Sequence, residues 1–166
     1  TNFARLNRLA ADQESLNRVR SEIEPCLVGE SHPDFFSFAG APNRDWIDDG
    51  LIYVQDPSTS LSCQLLNPKP GERILDACGA PGGKAAFLAA LSGEPSSLTV
   101  TDSSEKRLSR TRENLERLGA GDANLEKVDW NSKSLSPDAF EPFDAILLDV
   151  PCSNSGVIRR RVDVRW

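Results

Sequence analysis

The sequence predicts an α/β protein, a doubly wound parallel sheet with a small α+β subdomain in front of it. Three observations predict it. From residue 73 onward, short aliphatic runs alternate with stretches of helical periodicity. The first of those runs opens into a glycine-rich turn, Asp76-Ala-Cys-Gly-Ala-Pro-Gly-Gly-Lys84, at the place where an open parallel sheet binds its ligand. Four successive runs end at or beside an aspartate: Asp76, Asp102, Asp129 and Asp149.

The elements follow in order. Residues 3–9 suit a short strand. Residues 12–24 suit a helix: Leu16, Val19 and Ile23 recur at helical spacing, Asp12 can cap the start, and Pro25 ends the run. Residues 26–50 are mixed, with Phe35, Phe36 and Phe38 as core and Pro33, Gly40, Pro42 and Gly50 as punctuation. Leu51–Gln55 is a strand. Residues 1–55 therefore read as a subdomain too small to be comfortable alone, and residues 56–166 as the start of a larger domain. In that second part Arg73–Ala77 is a strand and Gly82–Leu91 a helix of small and apolar residues. Leu98–Thr101 is a strand. Glu105–Leu118 is an amphipathic helix, with Leu108, Leu115 and Leu118 on one side and Gly119 at its end. Ala123–Val128 is a weak strand and Ala145–Leu148 a strong one.

Composition narrows the class. The chain has 166 residues, 39% hydrophobic and 27% charged, enough for a core and a charged surface. No apolar run reaches the roughly 18 residues of a membrane span, so no membrane partner is expected. Cys26, Cys63, Cys78 and Cys152 show no C-x-x-C spacing, and His32 is the one histidine, so no metal is expected. A chain of this length needs no disulfide staples, which makes reduced thiols and a cytoplasmic setting the default. It begins at Thr1 and contains no methionine, which reads as a piece of a longer protein. Net charge is −6, against nonspecific coating of nucleic acid. Yet residues 157–166 carry Arg159, Arg160, Arg161 and Arg165 against Asp163, a local +3. Such a patch can grip phosphates at a defined place.

The glycine turn selects a ligand. A phosphate-binding P-loop needs G-x-x-x-x-G-K-[ST]. Here Gly79 to Gly83 is one residue short and Ala85 replaces the hydroxyl. The dinucleotide pattern G-x-G-x-x-G is absent. What remains is a turn whose amides can approach a ligand closely, ringed by acids. Asp102 lies 20 residues after Gly82, where a carboxylate takes ribose hydroxyls. Acids without a phosphate motif suit a cationic, phosphate-free nucleoside, and S-adenosyl-L-methionine, a sulfonium, fits. Lys84 faces either the amino-acid carboxylate of such a ligand or a nearby acid. The run Ile146-Leu-Leu-Asp-Val-Pro-Cys-Ser-Asn-Ser-Gly156 places a second chemical group, Cys152, just beyond the last strand.

Asp76–Lys84 and Asp149–Ser153 together resemble the Nop/Sun family of RNA cytosine-5 methyltransferases. The run Gly156–Trp166 most resembles its Sun (Fmu) branch, which acts on small-subunit ribosomal RNA. Val54-Gln-Asp-Pro-Ser58 and Arg5-Leu-Asn7 are similar to segments ahead of the catalytic domain in that family. The resemblance implies a Rossmann-like S-adenosylmethionine-dependent methyltransferase fold, here a truncated parallel sheet, behind a subdomain resembling an RNA-recognition fold. It implies cofactor binding by Cys78, Gly79, Ala80, Pro81, Gly82, Gly83 and Lys84, and by Asp102, Asp129 and Asp149. Asp149 also lies beside the target base, and Arg159, Arg160, Arg161 and Arg165 would contact ribosomal RNA.

The family uses two cysteines. One, in a Pro-Cys segment like Pro151-Cys152, assists product release; the other, in a Thr-Cys segment on a later strand, adds to carbon 6 of cytosine so that carbon 5 can take the methyl group. The base must leave its stack to reach the pocket. No Thr-Cys occurs in this chain, and Cys26 and Cys63 precede the cofactor turn. The resemblance therefore implies catalytic roles for Cys152 and Asp149, with the nucleophile in a missing C-terminal part. Gly79 stands where alanine is common, a mild change, and Val162 where proline is usual. Two other readings compete. In one, Cys152 is itself the nucleophile, as in DNA cytosine-5 methyltransferases. In the other, the segment is a cofactor- or RNA-binding module without turnover.

Overall fold

The computed structural model describes residues 2–10, 12–28, 34–133, 138 and 140–150. It holds two sheets. The first is antiparallel, in the order β2-β1-β3, from β1 (Asn2–Leu6), β2 (Phe35–Phe38) and β3 (Ile52–Val54). The second is parallel, in the order β6-β5-β4-β7, from β4 (Ile74–Asp76), β5 (Leu98–Asp102), β6 (Asn124–Lys127) and β7 (Ala145–Leu147). Helices α1 (Gln13–Ile23), α2 (Arg44–Asp48), α3 (Leu61–Leu66), α4 (Gly83–Ser92) and α5 (Glu105–Arg117) connect them.

Most elements fall within a residue or two of their sequence-predicted bounds. Asp12 caps α1 by accepting the Ser15 N–H at 3.0 Å, and Ser104 caps α5 through the Arg107 N–H. The first strand is shorter than predicted: it stops at Leu6, because the Asn7 side chain takes over the bonding there. Three elements were not read from the sequence. Phe35–Phe38 is a strand, Arg44–Asp48 a helix capped by Asn43, and Leu61–Leu66 a helix after the Asp56-Pro57 turn. They are short, and a turn or two of helix carries too little periodicity to read.

The parallel sheet runs from β4 outward to β5 and β6, then returns to place β7 on the other side of β4. That reversal opens a crevice at the carboxyl ends of the strands. Ile74, Leu98, Val100, Leu115 and Leu118 are fully buried beside it.

Helix α4, Gly-Lys-Ala-Ala-Phe-Leu-Ala-Ala-Leu-Ser, is apolar almost all round, as a helix covered on several sides must be. One side packs on the parallel sheet. The other meets the first sheet, where register places Phe35, Arg5 and Tyr53 in one cross-strand row. Phe35 stands edge-on to Phe87 of α4 with ring centroids 6.3 Å apart, and the Arg5 guanidinium lies 4.5 Å from the same ring. The opposite face of the first sheet, with Ala4, Leu6, Phe36 and Ile52, packs with Val19 and Ile23 of α1. Among the described residues both faces of this sheet are thus covered, and they leave no free aromatic platform of the kind on which RNA-recognition sheets stack bases.

Polar staples cross the same junction. Asn7, fully buried, donates through Nδ2 to the carbonyls of Gly50 (2.8 Å) and Leu118 (2.9 Å). Arg117 of α5 donates to the Ile47 carbonyl at 2.5 Å. At the far edge, β7 has one neighbour among the described residues, and Ile146 and Leu148 are exposed there. No helix among the described residues is long and apolar enough to cross a membrane.

Candidate active site

Four strand ends converge on the crevice. Asp76 closes β4 and is fully buried, and neither of its carboxylate oxygens has a hydrogen-bond partner among the described residues. Burial pushes its pKa up to about 7; Lys84 opposes the rise, Asp149 adds to it, and the Cys78 amide opposes it without completing a hydrogen bond. Lys84, in the first turn of α4, pairs with Asp149 beyond β7, Nζ to Oδ2 at 2.5 Å. The nearby acid open to Lys84 from the sequence is thus Asp149. Asp102 closes β5, buried, and accepts the Ser104 N–H and the Arg107 guanidinium, each at 2.8 Å. Asp129 follows β6, exposed, and accepts the Asn131 N–H at 3.0 Å.

These groups line two cavities that share Cys78. The first, about 210 Å³, lies at the start of α4. Asp76, Lys84, Asp149, Gly79, Ala80, Pro81 and Gly83 form one side, and Tyr53, Gln55 and Thr59 the other. The second, about 390 Å³, lies over the ends of β4, β5 and β6. Asp102, Asp129, Arg107 and Trp130 line it, with Leu148 and Val150 supplying apolar surface. Trp130 is fixed by its indole N–H, which points at the Ala77 carbonyl (2.8 Å) and Thr101 Oγ1 (3.0 Å).

The glycine turn earns its composition here. Gly82 enters α4 at φ +100°, a conformation side chains resist. It touches neither cavity, so among the predicted binding residues its part is to shape the turn. A Cβ on Gly83 would lie 2.6 Å from the Tyr53 ring, and one on Gly79 would lie 2.5 Å from Val100 and 2.7 Å from the Asp76 carboxyl. Glycine for alanine at 79 is therefore not a mild exchange in this packing. The Ala80-Pro81 peptide is cis.

Every predicted cofactor residue lies at this crevice or in the turn that shapes it. Cys152 and Arg159, Arg160, Arg161 and Arg165 fall outside the described residues. Cys63 is fully buried under α4 with its pKa raised to about 11 by burial, an unreactive thiol. The thiol of Cys78 is also pushed up, by burial first and then by Asp102 and Asp76.

Several cavity residues are not marked as contacts by the sequence. Asp76 stands in its ring of acids with no contact assigned to it. Trp130 directly follows a strand-end acid, which is the signal that would have found it. Tyr53, Gln55 and Thr59 precede the glycine turn by 17 to 23 residues, and no local pattern marks them as facing it.

Known proteins share this arrangement. A sequence profile described as 16S rRNA methyltransferase RsmB/F matches residues 63–166. The chain is 47% identical over 117 residues to ribosomal RNA small subunit methyltransferase B of Pseudomonas syringae pv. tomato, covering 70% of this chain and 26% of that protein. It is 43% identical over 124 residues to the Vibrio cholerae protein of the same name, covering 71% of this chain and 26% of that one. The chain thus spans about a quarter of the length of the curated relatives it matches.

A methyltransferase homolog protein from Pyrococcus horikoshii superposes with TM-score 0.73 at 32% identity, over 98% of this chain and 54% of that one. NSun6 from the same organism, solved with SFG, superposes with TM-score 0.58 at 30% identity, over 73% of this chain and 30% of that one. The sheet order, the glycine turn and the strand-end acids form the Rossmann-like fold of S-adenosylmethionine-dependent methyltransferases. With the match over residues 63–166, the chain belongs to the 16S rRNA methyltransferase RsmB/F family.

Proposed function

We propose that this chain carries the cofactor half of an enzyme that methylates carbon 5 of a cytosine in small-subunit ribosomal RNA. One observation carries the reading: two cavities meet at Cys78, one with Asp76, Lys84 and Asp149 in its wall, the other with Asp102, Asp129 and Trp130. S-adenosylmethionine has the matching halves, an adenosine and a zwitterionic amino acid. When bound, it supplies a methyl group on a sulfonium. Asp102 is placed for the ribose hydroxyls, with Asp129 at the adenine end beside Trp130. Asp76, buried and without a hydrogen-bond partner among the described residues, suits the ammonium, because a cation there relieves an acid that burial disfavours.

The remaining roles follow from the family resemblance. Asp149 orients the target cytosine, held in place by Lys84. Cys152 assists release of the product. Arg159, Arg160, Arg161 and Arg165 grip RNA phosphates. Residues 1–55 form a subdomain that orients the RNA by its edges, since both faces of its sheet are covered. Further strand-helix units of the full-length protein add beside β7 and bring the thiol that begins the chemistry.

The test is transfer of labelled methyl groups from S-adenosylmethionine to undermethylated small-subunit RNA by the full-length protein. Label at carbon 5 of one cytosine supports the reading; label on another atom or another RNA class refutes it. Trapping on 5-fluorocytosine RNA separates the two cysteine assignments. An adduct that survives Cys152→Ala favours the release role, and its loss favours Cys152 as nucleophile.

A further inference from the structure

In the cavity that holds Asp76 and Lys84, the wall opposite the glycine turn belongs to the first sheet, and its hydrogen bonding is directional. Gln55 follows β3 and lines the cavity beside Asp76 and Lys84. Its side-chain amide is held at both ends. Arg5 Nε donates to Oε1 at 3.2 Å, and Nε2 donates to Thr59 Oγ1 at 3.0 Å. A guanidinium has no acceptor, so the atom facing Arg5 must be the oxygen. Arg5 therefore decides which way the amide points. One Nε2 hydrogen is used by Thr59, and the other has no partner among the described residues. Arg5 itself is fully buried with its guanidinium lying over the Phe87 ring.

We propose that Gln55, oriented by Arg5, binds the carboxylate of the amino-acid half of the methyl donor through its free amide N–H. This rests on the reading that the cavity takes S-adenosylmethionine. The chemistry on the two walls is complementary. Asp76 offers only acceptors, which suit the ammonium. Gln55 offers a donor, and α4 starts at Gly83 in the same cavity wall without a side-chain cap, leaving amide donors for an anion. Gln55 is then a binding residue and Arg5 a positioning residue. The first sheet becomes part of the cofactor site, a role separate from any contact with RNA.

The experiment compares two ligands by calorimetry on the full-length protein. S-adenosylhomocysteine has the amino-acid half; 5′-deoxy-5′-methylthioadenosine lacks it. Gln55→Glu keeps the size and the contact to Arg5 but turns the donor into an anion. It should weaken S-adenosylhomocysteine at least about tenfold and leave methylthioadenosine unchanged. Arg5→Lys removes the Nε donor and should shift the ratio of the two affinities in the same direction. Equal weakening of both ligands, or no change in either, overturns the inference. An unshifted ratio in Arg5→Lys overturns the positioning role. If the parent protein binds neither ligand, the cofactor reading fails and this inference fails with it.

Discussion

Gly83 and Tyr53 touch across the junction of the two sheets, so closely that a Cβ on Gly83 would lie 2.6 Å from the Tyr53 ring. The first turn of α4 can sit against the first sheet only because residue 83 has no side chain. Gly83→Ala should therefore cost about 1–3 kcal/mol of stability, the usual range for overpacking. In a Tyr53→Ala background most of that cost should vanish. A double-mutant cycle by urea unfolding measures it, and additive effects would show that the two residues do not meet.

Asp76 gives the protein a pH signature. Its folded pKa, about 7, lies above the ordinary carboxylate value of 3.8, so the folded state holds the proton more tightly than the unfolded one. The stability it contributes is complete below about pH 4 and is lost as pH rises through 7, at up to roughly 1.4 kcal/mol per pH unit in between. Asp76→Asn should flatten that part of the profile. Denaturant midpoints of both proteins at pH 5, 6, 7 and 8 test this, and parallel profiles would count against a buried neutral acid.

Lys84 holds Asp76 below the value that burial alone would give it. Lys84→Met should raise the Asp76 pKa further and move the stability loss to higher pH. It also releases Asp149 from its partner, so methyl transfer by the full-length protein should fall more than tenfold. A variant with unchanged pH profile and activity would place Lys84 outside the site.

Ligand affinity should carry the same proton. A bound ammonium favours ionised Asp76, so below about pH 7 binding must release a proton. Affinity for S-adenosylhomocysteine should rise between pH 6 and 8 and then level off. In Asp76→Asn the rise should disappear. Calorimetry in buffers of different ionisation enthalpy counts the protons directly.

Asn7 pins the first sheet to the end of α5 through two carbonyls that no solvent reaches. Asn7→Ala leaves both without that donor and should cost about 2–4 kcal/mol. Limited proteolysis should then cut near residues 50–56 first, because the staple fails there before the parallel sheet unfolds. Unchanged protection would mean that the Arg117–Ile47 bond and the Phe35–Phe87 contact hold the junction without Asn7.

The sequence by itself determined the parallel sheet and the cofactor turn. Alternation of aliphatic runs with helical periodicity is local information, and Asp76–Lys84, Asp102, Asp129 and Asp149 are each marked by their place at a strand end. Bounds such as Glu105–Arg117 came out within one residue because caps and glycines are also local. The tertiary structure decided what stands opposite those groups. Tyr53, Gln55 and Thr59 reach the cavity only because the first sheet packs its Phe35-Arg5-Tyr53 row on α4. That packing also closed the face a base would have stacked on. The burial of Asp76, and with it the raised pKa, depends on residues far away in the chain. Contacts between distant segments leave no periodicity in either one, so only the folded arrangement displays them.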